Sequence, residues 1–137
     1  MCGFSGFLNF NSSWGDPLTL LQQMGDQLIH RGPDDSGVWF DNNCGVGLSH
    51  RRLSIIDLSA QGHQPMLSTS GRFVIAYNGE IYNHQELKKE LLQAGVVFRG
   101  SSDTEVLLAA IESWGIKQTL KRCIGMFAFS LWDKKEQ

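Results

Sequence analysis

The second residue of the chain, Cys2, is the first whose chemistry stands out. Removal of Met1 would place its thiol and a free α-amino group on the same carbon atom. Thiols have an ordinary pKa of about 8.5 and α-amines one of about 8, so such an amine can take or hold the thiol proton near neutral pH. The position of Cys2 therefore predicts that its thiol is a nucleophile and its α-amine the base, provided that Met1 is removed.

The alternative for Cys2 is an exposed, oxidisable thiol without a role. The residues that follow favour the catalytic interpretation, because residues 3–10 read as a buried strand with glycines where another group approaches the backbone. A terminus that is anchored in a sheet holds its first residues in place. No apolar run precedes Cys2 as a secretory signal requires, and a residue 2 other than glycine excludes myristoylation.

A second chemical signal is the pair Asn78-Gly79, which follows the apolar run of residues 73–76. One interpretation of this pair, placed between extended runs, is a two-residue hairpin turn of type I′. The other is functional, because the side-chain amide of Asn78 and the unhindered N–H of Gly79 can converge on a developing oxyanion. Acyl transfer by Cys2 would need such a pair of donors, and both interpretations stay open here.

Two further segments suit the binding of a small charged substrate: residues 51–57 and residues 101–105. An arginine such as Arg52 can bind a carboxylate through two parallel hydrogen bonds, and an aspartate such as Asp103 can pair with an ammonium group. Together they would fit an α-amino acid. The alternatives are a surface charge for Arg52 and a helix-dipole partner for Asp103.

Helix signals, which must position these residues, occur three times along the chain. An Asp-Pro start and the apolar spacing predict a helix over residues 16–32. Asn83 and Glu86 form a predicted capping box at the start of a second helix, residues 83–95, which ends at a glycine. The same Ser-to-Glu spacing and a closing glycine predict a third helix over residues 102–115.

Strand signals separate these helices and also occupy both ends of the chain, which indicates α+β layers with a mainly antiparallel sheet. The last residues, 133–137, read as a hairpin turn whose return strand is not in the sequence. We therefore expect the chain to stop inside a larger domain. The predicted strands cover residues 3–10, 37–40, 44–50, 73–76, 96–98 and 125–132.

Composition limits the class of protein. The chain has 137 residues, which suits one globular domain, and its 12 basic and 14 acidic residues are scattered and give a net charge of −2. Without a basic stripe, no nucleic-acid partner is predicted. No apolar stretch approaches the roughly 20 residues that span a bilayer, so no membrane partner is predicted either.

The spacing of cysteine and histidine predicts neither a disulfide framework nor a metal site. The cysteines are odd in number and have no close pair, and the histidines lack the short spacing of a zinc site. A reducing cytoplasm fits this use of cysteine best. Apart from any role in chemistry, we expect the histidines to be capping or surface residues. The residues concerned are Cys2, Cys44, Cys123, His30, His50, His63 and His84.

Taken together, six segments resemble one family closely: the N-terminal glutaminase domain of asparagine synthetases, a class II glutamine amidotransferase among the N-terminal-nucleophile hydrolases. Each segment alone is weak, but all six in this order are specific, and the resemblance covers nearly the whole chain. The segments are MCGFSG at residues 1–6, HRGPDDSG at 30–37, RLSIID at 52–57, NGEIYN at 78–83, SDTE at 102–105 and GMFAF at 125–129.

The resemblance implies an α+β fold of the N-terminal-nucleophile hydrolase type, a layered αββα sandwich with mainly antiparallel sheets that is truncated at its C-terminus. Residues 1–137 would then be a glutaminase domain, incomplete at its C-terminal end, with the synthetase domain absent. Carried over to this sequence, the family's roles make Cys2 the nucleophile and make Asn78 and Gly79 the oxyanion hole. The segment 30–34 resembles a structural signature near the site, to which we assign no chemical role.

The resemblance also implies a substrate, glutamine, which is hydrolysed to glutamate and ammonia through a Cys2 thioester. Ammonia would pass to a synthetase domain that uses ATP and Mg to convert aspartate to asparagine, so this chain itself is expected to bind no cofactor and no metal. The residues implied to bind glutamine are Arg52, Leu53, Ser54, Ile55, Ile56, Asn78, Gly79, Glu80 and Asp103.

Three alternatives stay open. Glucosamine-6-phosphate synthase and amidophosphoribosyltransferase share the use of Cys2, although segments 52–57 and 78–83 look like the asparagine synthetase versions. A relative that amidates another acceptor could carry the same glutaminase half. A non-catalytic glutamine-binding module is the third, and an intact Cys2 argues against it. The sequence does not set the oligomeric state, and a homodimer of the parent is one option.

Overall fold

The computed structural model describes residues 2–55 and 59–137, which form six strands, four α-helices and two short 3₁₀ helices. The 3₁₀ helices are Ser12–Trp14 and Ala60–Gly62. The strands are β1 (Gly3–Phe7), β2 (Asp35–Asp41), β3 (Val46–Arg52), β4 (Met66–Leu67), β5 (Phe73–Ile81) and β6 (Gly125–Asp133). The α-helices are α1 (Pro17–Asp26), α2 (His84–Gln93), α3 (Asp103–Trp114) and α4 (Ile116–Arg122).

The first sheet has the antiparallel order β1-β3-β2, and α1 packs against it. Every residue of the central strand β3 is buried, because it has a neighbour on each edge and a layer on each face. A Cβ atom on Gly25 would lie 2.4 Å from Oγ of Ser49, so α1 can lie this close only where it carries a glycine. The side chain of Arg51 joins the two layers, since it bonds the Gly25 carbonyl over 3.2 Å and the Asp26 carboxylate.

The second sheet has the antiparallel order β4-β5-β6, and α2 and α3 cover its outer face. Side chains of β5 alternate between the two faces. Ile75 and Tyr77 belong to the core under the helices, whereas Val74 and Ala76 pack with Leu48 of β3 between the sheets. The layers are therefore helix, sheet, sheet, helix, as predicted.

The helix predictions hold in part. The helix α1 ends at Asp26, not near residue 32, and residues 27–31 form turns. Ser102 caps α3 as predicted, because its Oγ accepts a hydrogen bond from the N–H of Glu105 over 3.2 Å. The α4 helix was not predicted. The longest described helix has 12 residues, and none in the described part of the chain is long and apolar enough to cross a membrane.

The predicted strand at residues 96–98 is wrong. Gly95 has a φ of 88°, and the N–H of Val96 bonds the Leu91 carbonyl over 3.0 Å, which completes the C-terminal cap of α2. Further along, the Glu105 carboxylate accepts from the N–H groups of Arg99 and Gly100, each over 2.8 Å. The main chain of this segment is thus bound by the ends of two helices and not by a sheet.

The capping box predicted from Asn83 is also wrong, because the Asn83 side chain makes no capping bond to α2. Its Nδ2 donates to the Arg122 carbonyl and its Oδ1 accepts from the N–H of Ile124, each over 2.9 Å. Asn83 therefore ties the end of β5 to the start of β6.

Candidate active site

Cys2 lies one residue before β1, at the end of the first sheet that faces β5. The antiparallel register pairs Gly3 with Arg51, so its continuation by one residue puts Cys2 opposite Arg52 and next to Leu53, just beyond the end of β3. The N–H of Leu53 donates to Sγ of Cys2 over 3.3 Å, and Sγ lies 3.6 Å from the Leu53 carbonyl, to which a thiol can donate. The main chain of Leu53 therefore holds the half-buried sulfur in a fixed position at this end of the sheet.

A cavity of about 170 Å³ opens beside Cys2, between the end of the first sheet, β5 and the start of α3. It brings together most of the residues that the sequence selected. Ser54 is not among its lining residues, and Ile56 lies outside the described residues. The predicted residues that line it are Cys2, Arg52, Leu53, Ile55, Asn78, Gly79, Glu80 and Asp103.

Asn78 and Gly79 lie inside β5, so the hairpin-turn interpretation of this pair is wrong. In the register with β6, they face Ala128 and Phe127. A Cβ atom on Gly79 would lie 2.4 Å from the Met126 carbonyl oxygen and from Cα of Phe127, closer than real Cβ atoms approach backbone. Only glycine therefore lets β5 and β6 pair here.

Main-chain groups of β5 alternate between its two edges, as in any antiparallel strand. At the edge away from β6, the N–H of Tyr77 donates to Oε1 of Gln64 over 2.7 Å, and that of Ile81 donates to Oδ2 of Asp103 over 3.0 Å. Gly79 stands between these two positions, so its N–H points to the same edge. This edge borders the cavity, so the Gly79 N–H lies where an oxyanion-hole donor is expected.

Asp103 is buried, with 6% of its surface exposed, and it is the first residue of α3. Besides the Ile81 N–H, its Oδ2 accepts from the Tyr77 hydroxyl over 2.9 Å. Burial, together with the negative charge of Asp103, raises the pKa of the Tyr77 hydroxyl, which keeps it a donor. The carboxylate therefore holds the scaffold of β5 in addition to lining the cavity, and its contact with a substrate ammonium group stays a prediction.

Arg52 is 7% exposed, so the interpretation of this residue as a surface charge is wrong. Its Nη1 donates to the Ser59 carbonyl over 2.8 Å. A Cβ atom on Gly62 would lie 2.0 Å from Nη2, so the guanidinium occupies the space that a side chain at residue 62 would need. These contacts fix the cation at the wall of the cavity, where it can meet a carboxylate.

The segment 30–34 supports the loop that carries Arg52. The N–H of Asp34 donates to the Arg52 carbonyl over 3.0 Å, and Oδ2 of Asp34 accepts from the Ser54 N–H over 2.8 Å. Gly32 lies against the same chain, because a Cβ atom there would lie 2.4 Å from the Arg51 carbonyl oxygen. Ser54 therefore contributes to the geometry of the loop through its main chain.

His50, in β3, is a residue that sequence reasoning placed incorrectly, since only 1% of its surface is exposed. Its Nε2 lies 2.8 Å from the Tyr77 carbonyl oxygen, and because a carbonyl only accepts, this nitrogen carries the proton. Burial lowers the pKa of His50 to about 4, so the imidazole is neutral near pH 7. Its Nδ1 is buried and has no hydrogen-bond partner among the described residues.

Several cavity residues were missed: Gln64 lies in none of the segments singled out in the sequence, and Thr104, Tyr82 and Met126 lie in such segments but were assigned no role. Gln64 and Thr104 are ordinary polar residues, and Tyr82 and Met126 are exposed apolar ones at the rim, with 55% and 73% of their surface exposed. No group of three His, Cys, Asp or Glu side chains within residues 2–55 and 59–137 is placed to hold a metal ion. The expectation that this chain binds no metal or cofactor stays a prediction.

Comparison with known proteins gives consistent results. The family described as "Glutamine amidotransferase domain" matches residues 1–137. Asparagine synthetase [glutamine-hydrolyzing] 3 of Bacillus subtilis is 39% identical over 98% of this chain and 22% of its own length. Amidase chry2 of Gibberella zeae is 37% identical over 100% of this chain and 22% of its own length. The chain thus spans about a fifth of the length of the curated relatives that it matches.

Among solved structures, glutamine phosphoribosylpyrophosphate amidotransferase from B. subtilis matches with a TM-score of 0.70 and 23% identity. The match covers 84% of this chain and 32% of that one. This likeness shows the fold, and it confirms the α+β N-terminal-nucleophile architecture predicted from the sequence.

Proposed function

Because the chain belongs to the glutamine amidotransferase domain family, we propose that it hydrolyses glutamine to glutamate and ammonia through a thioester on Cys2. The observation that supports this proposal most is the composition of one cavity. A half-buried cysteine, an Asn-Gly pair on strand β5, a buried arginine and a buried aspartate all line it.

The proposed reaction begins once Met1 has been removed. The α-amine of Cys2 takes the thiol proton, and the sulfur attacks the side-chain carboxamide carbon of glutamine to form a C–S bond. The carboxamide oxygen becomes an oxyanion, which accepts hydrogen bonds from the Asn78 amide and the Gly79 N–H. The amine returns its proton to the departing nitrogen, the C–N bond breaks, and ammonia leaves a thioester.

The second half of the reaction uses the same groups. The free amine takes a proton from water, whose oxygen attacks the thioester carbon, and a second oxyanion forms in the same place. Collapse of this intermediate breaks the C–S bond, returns the proton to sulfur and releases glutamate. The Leu53 N–H, at 3.3 Å from Sγ, suits both the attacking and the departing sulfur.

We propose that the two charges of the amino acid are bound by the two buried charges of the cavity. The Arg52 guanidinium would bind the α-carboxylate and the Asp103 carboxylate the α-ammonium group, with Glu80 completing the polar end. Leu53 and Ile55 would contact the aliphatic part of glutamine. Ser54 would act through its main chain, and the predicted role of Ile56 concerns a residue that lies outside the described part of the chain.

The relatives support a larger proposal. Curated asparagine synthetases match this chain with about a fifth of their length, so residues 1–137 would belong to the glutaminase domain of a longer amidotransferase. In it, an ATP- and Mg-dependent synthetase domain would use the ammonia to convert aspartate to asparagine in the cytoplasm. The match to an amidase keeps another acceptor open as the second candidate.

Exposure to a diazoketone analogue of glutamine, followed by intact-mass and peptide analysis, tests the proposal. We expect loss of Met1 and one adduct, on Cys2, together with release of glutamate and ammonia from glutamine itself. An adduct on Cys44 or Cys123, or retention of Met1 in protein that still hydrolyses glutamine, would overturn the assignment. A binding module would instead show thermal stabilisation by glutamine without adduct or ammonia.

A further inference from the structure

Strand β4 pairs with only part of the β5 edge, and beyond its end a side chain takes over the hydrogen bonding of β5. β4 pairs with β5 only through Met66, opposite Ile75, and Leu67, opposite Val74. Continued by two residues, this register would put residue 64 opposite residue 77. There the Oε1 atom of the Gln64 side chain accepts the Tyr77 N–H over 2.7 Å, in place of a main-chain carbonyl.

Gln64 is held from several directions. Only 5% of it is exposed, and its Nε2 donates to Oγ1 of Thr104 over 3.3 Å, at the start of α3. A Cβ atom on Gly37 would lie 2.2 Å from the Gln64 carbonyl oxygen, so β2 lies directly against its backbone. Because Oε1 faces an N–H and Nε2 faces a hydroxyl, the amide has one orientation that satisfies both ends.

Tyr77 is therefore fixed on both sides of its α-carbon. Gln64 holds its N–H, and His50 holds its carbonyl over 2.8 Å. The peptide unit that begins with this carbonyl ends with the nitrogen of Asn78, and the next peptide unit carries the N–H of Gly79. The orientation of both oxyanion-hole groups thus depends on how the Tyr77 main chain is anchored.

We propose that Gln64 is a positioning residue for the oxyanion hole, whose side-chain carbonyl anchors Tyr77 and so directs the Asn78 amide and the Gly79 N–H into the cavity. This inference rests on the proposed hydrolysis of glutamine. It assigns Gln64 no contact with the reacting atoms. Its effect is expected on the step in which the oxyanion forms and not on the binding of the amino acid.

Steady-state kinetics of Gln64→Met test the proposal, because methionine keeps the length of the side chain and removes the acceptor. We expect kcat for glutamine hydrolysis to fall about 10- to 100-fold while KM changes by less than about threefold, since misplaced oxyanion donors weaken the transition state selectively. Alkylation of Cys2 by iodoacetamide forms no oxyanion, so its rate should match that of the unchanged protein. Gln93→Met, at an exposed glutamine at the end of α2, is the matched control and should leave kcat unchanged.

A second pair of variants covers the case in which Gln64→Met does not fold. Thr104→Val removes the partner of Nε2 and should lower kcat, although less than Gln64→Met does, while Thr104→Ser keeps the hydroxyl and should restore it. A role in packing alone would lower the melting temperature with kcat unchanged, or would reduce hydrolysis and alkylation together. Either outcome would overturn the proposal.

Failure of this inference differs from failure of the proposed function. If the unchanged protein releases no ammonia from glutamine, the function itself is wrong. If it does, the amide signals of Tyr77 and Gly79 in Gln64→Met decide the mechanism of any loss. We expect hydrogen exchange at Tyr77 to become at least about 10-fold faster and the Gly79 signal to move. Unchanged signals would contradict the positioning role.

Discussion

The two walls of the cavity are held in different ways. On the first-sheet wall, the functional side chains are held mainly by main-chain groups. The main chain of Leu53 contacts Sγ of Cys2, and the main chain of residues 59–62 contacts the Arg52 guanidinium. On the β5 wall, buried side chains from distant segments hold the strand edge. The comparison teaches that the nucleophile is placed by sheet register, whereas the oxyanion hole is placed by a set of buried side chains.

The largest effect is expected from the first wall. Cys2→Ala should lower glutamine hydrolysis by about a thousandfold or more, because no other group in the cavity replaces the nucleophile, while the free energy of unfolding stays nearly unchanged. Ammonia release and urea unfolding measure the two quantities. Cys44→Ala and Cys123→Ala are controls that should keep full activity. A comparable loss of activity in either control would show that Cys2 is not the nucleophile.

The next largest effect is expected on the second wall, from Gly79→Ala. The added methyl group would lie 2.4 Å from the Met126 carbonyl oxygen, so β5 and β6 must separate and the donor at residue 79 moves. We expect kcat to fall about 100- to 1,000-fold, as for loss of an oxyanion donor. Gly71→Ala is the control, because Gly71 has a φ of 73° and no atom within 4 Å of an added methyl group. Equal losses in both variants would show that backbone strain alone is responsible.

His50, which anchors the Tyr77 carbonyl of the second wall, makes the stability of the protein depend on pH. Its pKa is lowered by burial to about 4 in the folded protein, against 6.5 as its ordinary value. The unfolded chain therefore binds more protons between these values, and stability falls as pH decreases from about 6.5 to about 4, by up to about 3 kcal/mol. Urea unfolding at several pH values measures it. His50→Gln should flatten this part of the profile, and an unchanged profile would contradict the assignment.

The smallest effects separate the two roles of Asp103. Tyr77→Phe removes one donor to its carboxylate and should cost about 1 to 2 kcal/mol of unfolding free energy with little change in KM, because the Ile81 N–H still holds Oδ2. Asp103→Asn removes the charge and should raise KM for glutamine at least about tenfold. Similar KM values in the two variants would indicate that Asp103 serves the scaffold alone.

The contrast between the walls also explains what the sequence could predict. The residues at Cys2, Arg52 and Asn78-Gly79 have types and spacings with few chemical uses, so their selection followed from local patterns. The cavity brings them together. That Asn78-Gly79 continues a strand, however, depends on β6, because the pairing partner and the close approach at Gly79 come from a distant segment.

The anchors of the second wall could not be found in this way. Gln64 accepts the Tyr77 N–H in place of a strand, and His50 is buried and neutral. Neither property can be recognised until β3, β4, β5 and α3 are placed together. The strand predicted at residues 96–98 failed for a related reason. Its apolar residues fit a strand, but the N–H of Val96 completes the cap of α2, and the Glu105 carboxylate binds the N–H groups of the next two residues, Arg99 and Gly100.

Acid quenching of the protein during turnover of labelled glutamine, followed by peptide mass analysis, tests the central claim most directly. The account predicts a glutamyl group in thioester linkage on Cys2 of chains that have lost Met1, with less of it in Gly79→Ala, where its formation is slowed. A glutamyl group on another residue, or ammonia release at full rate without any acylated protein under conditions that trap thioesters, would contradict it.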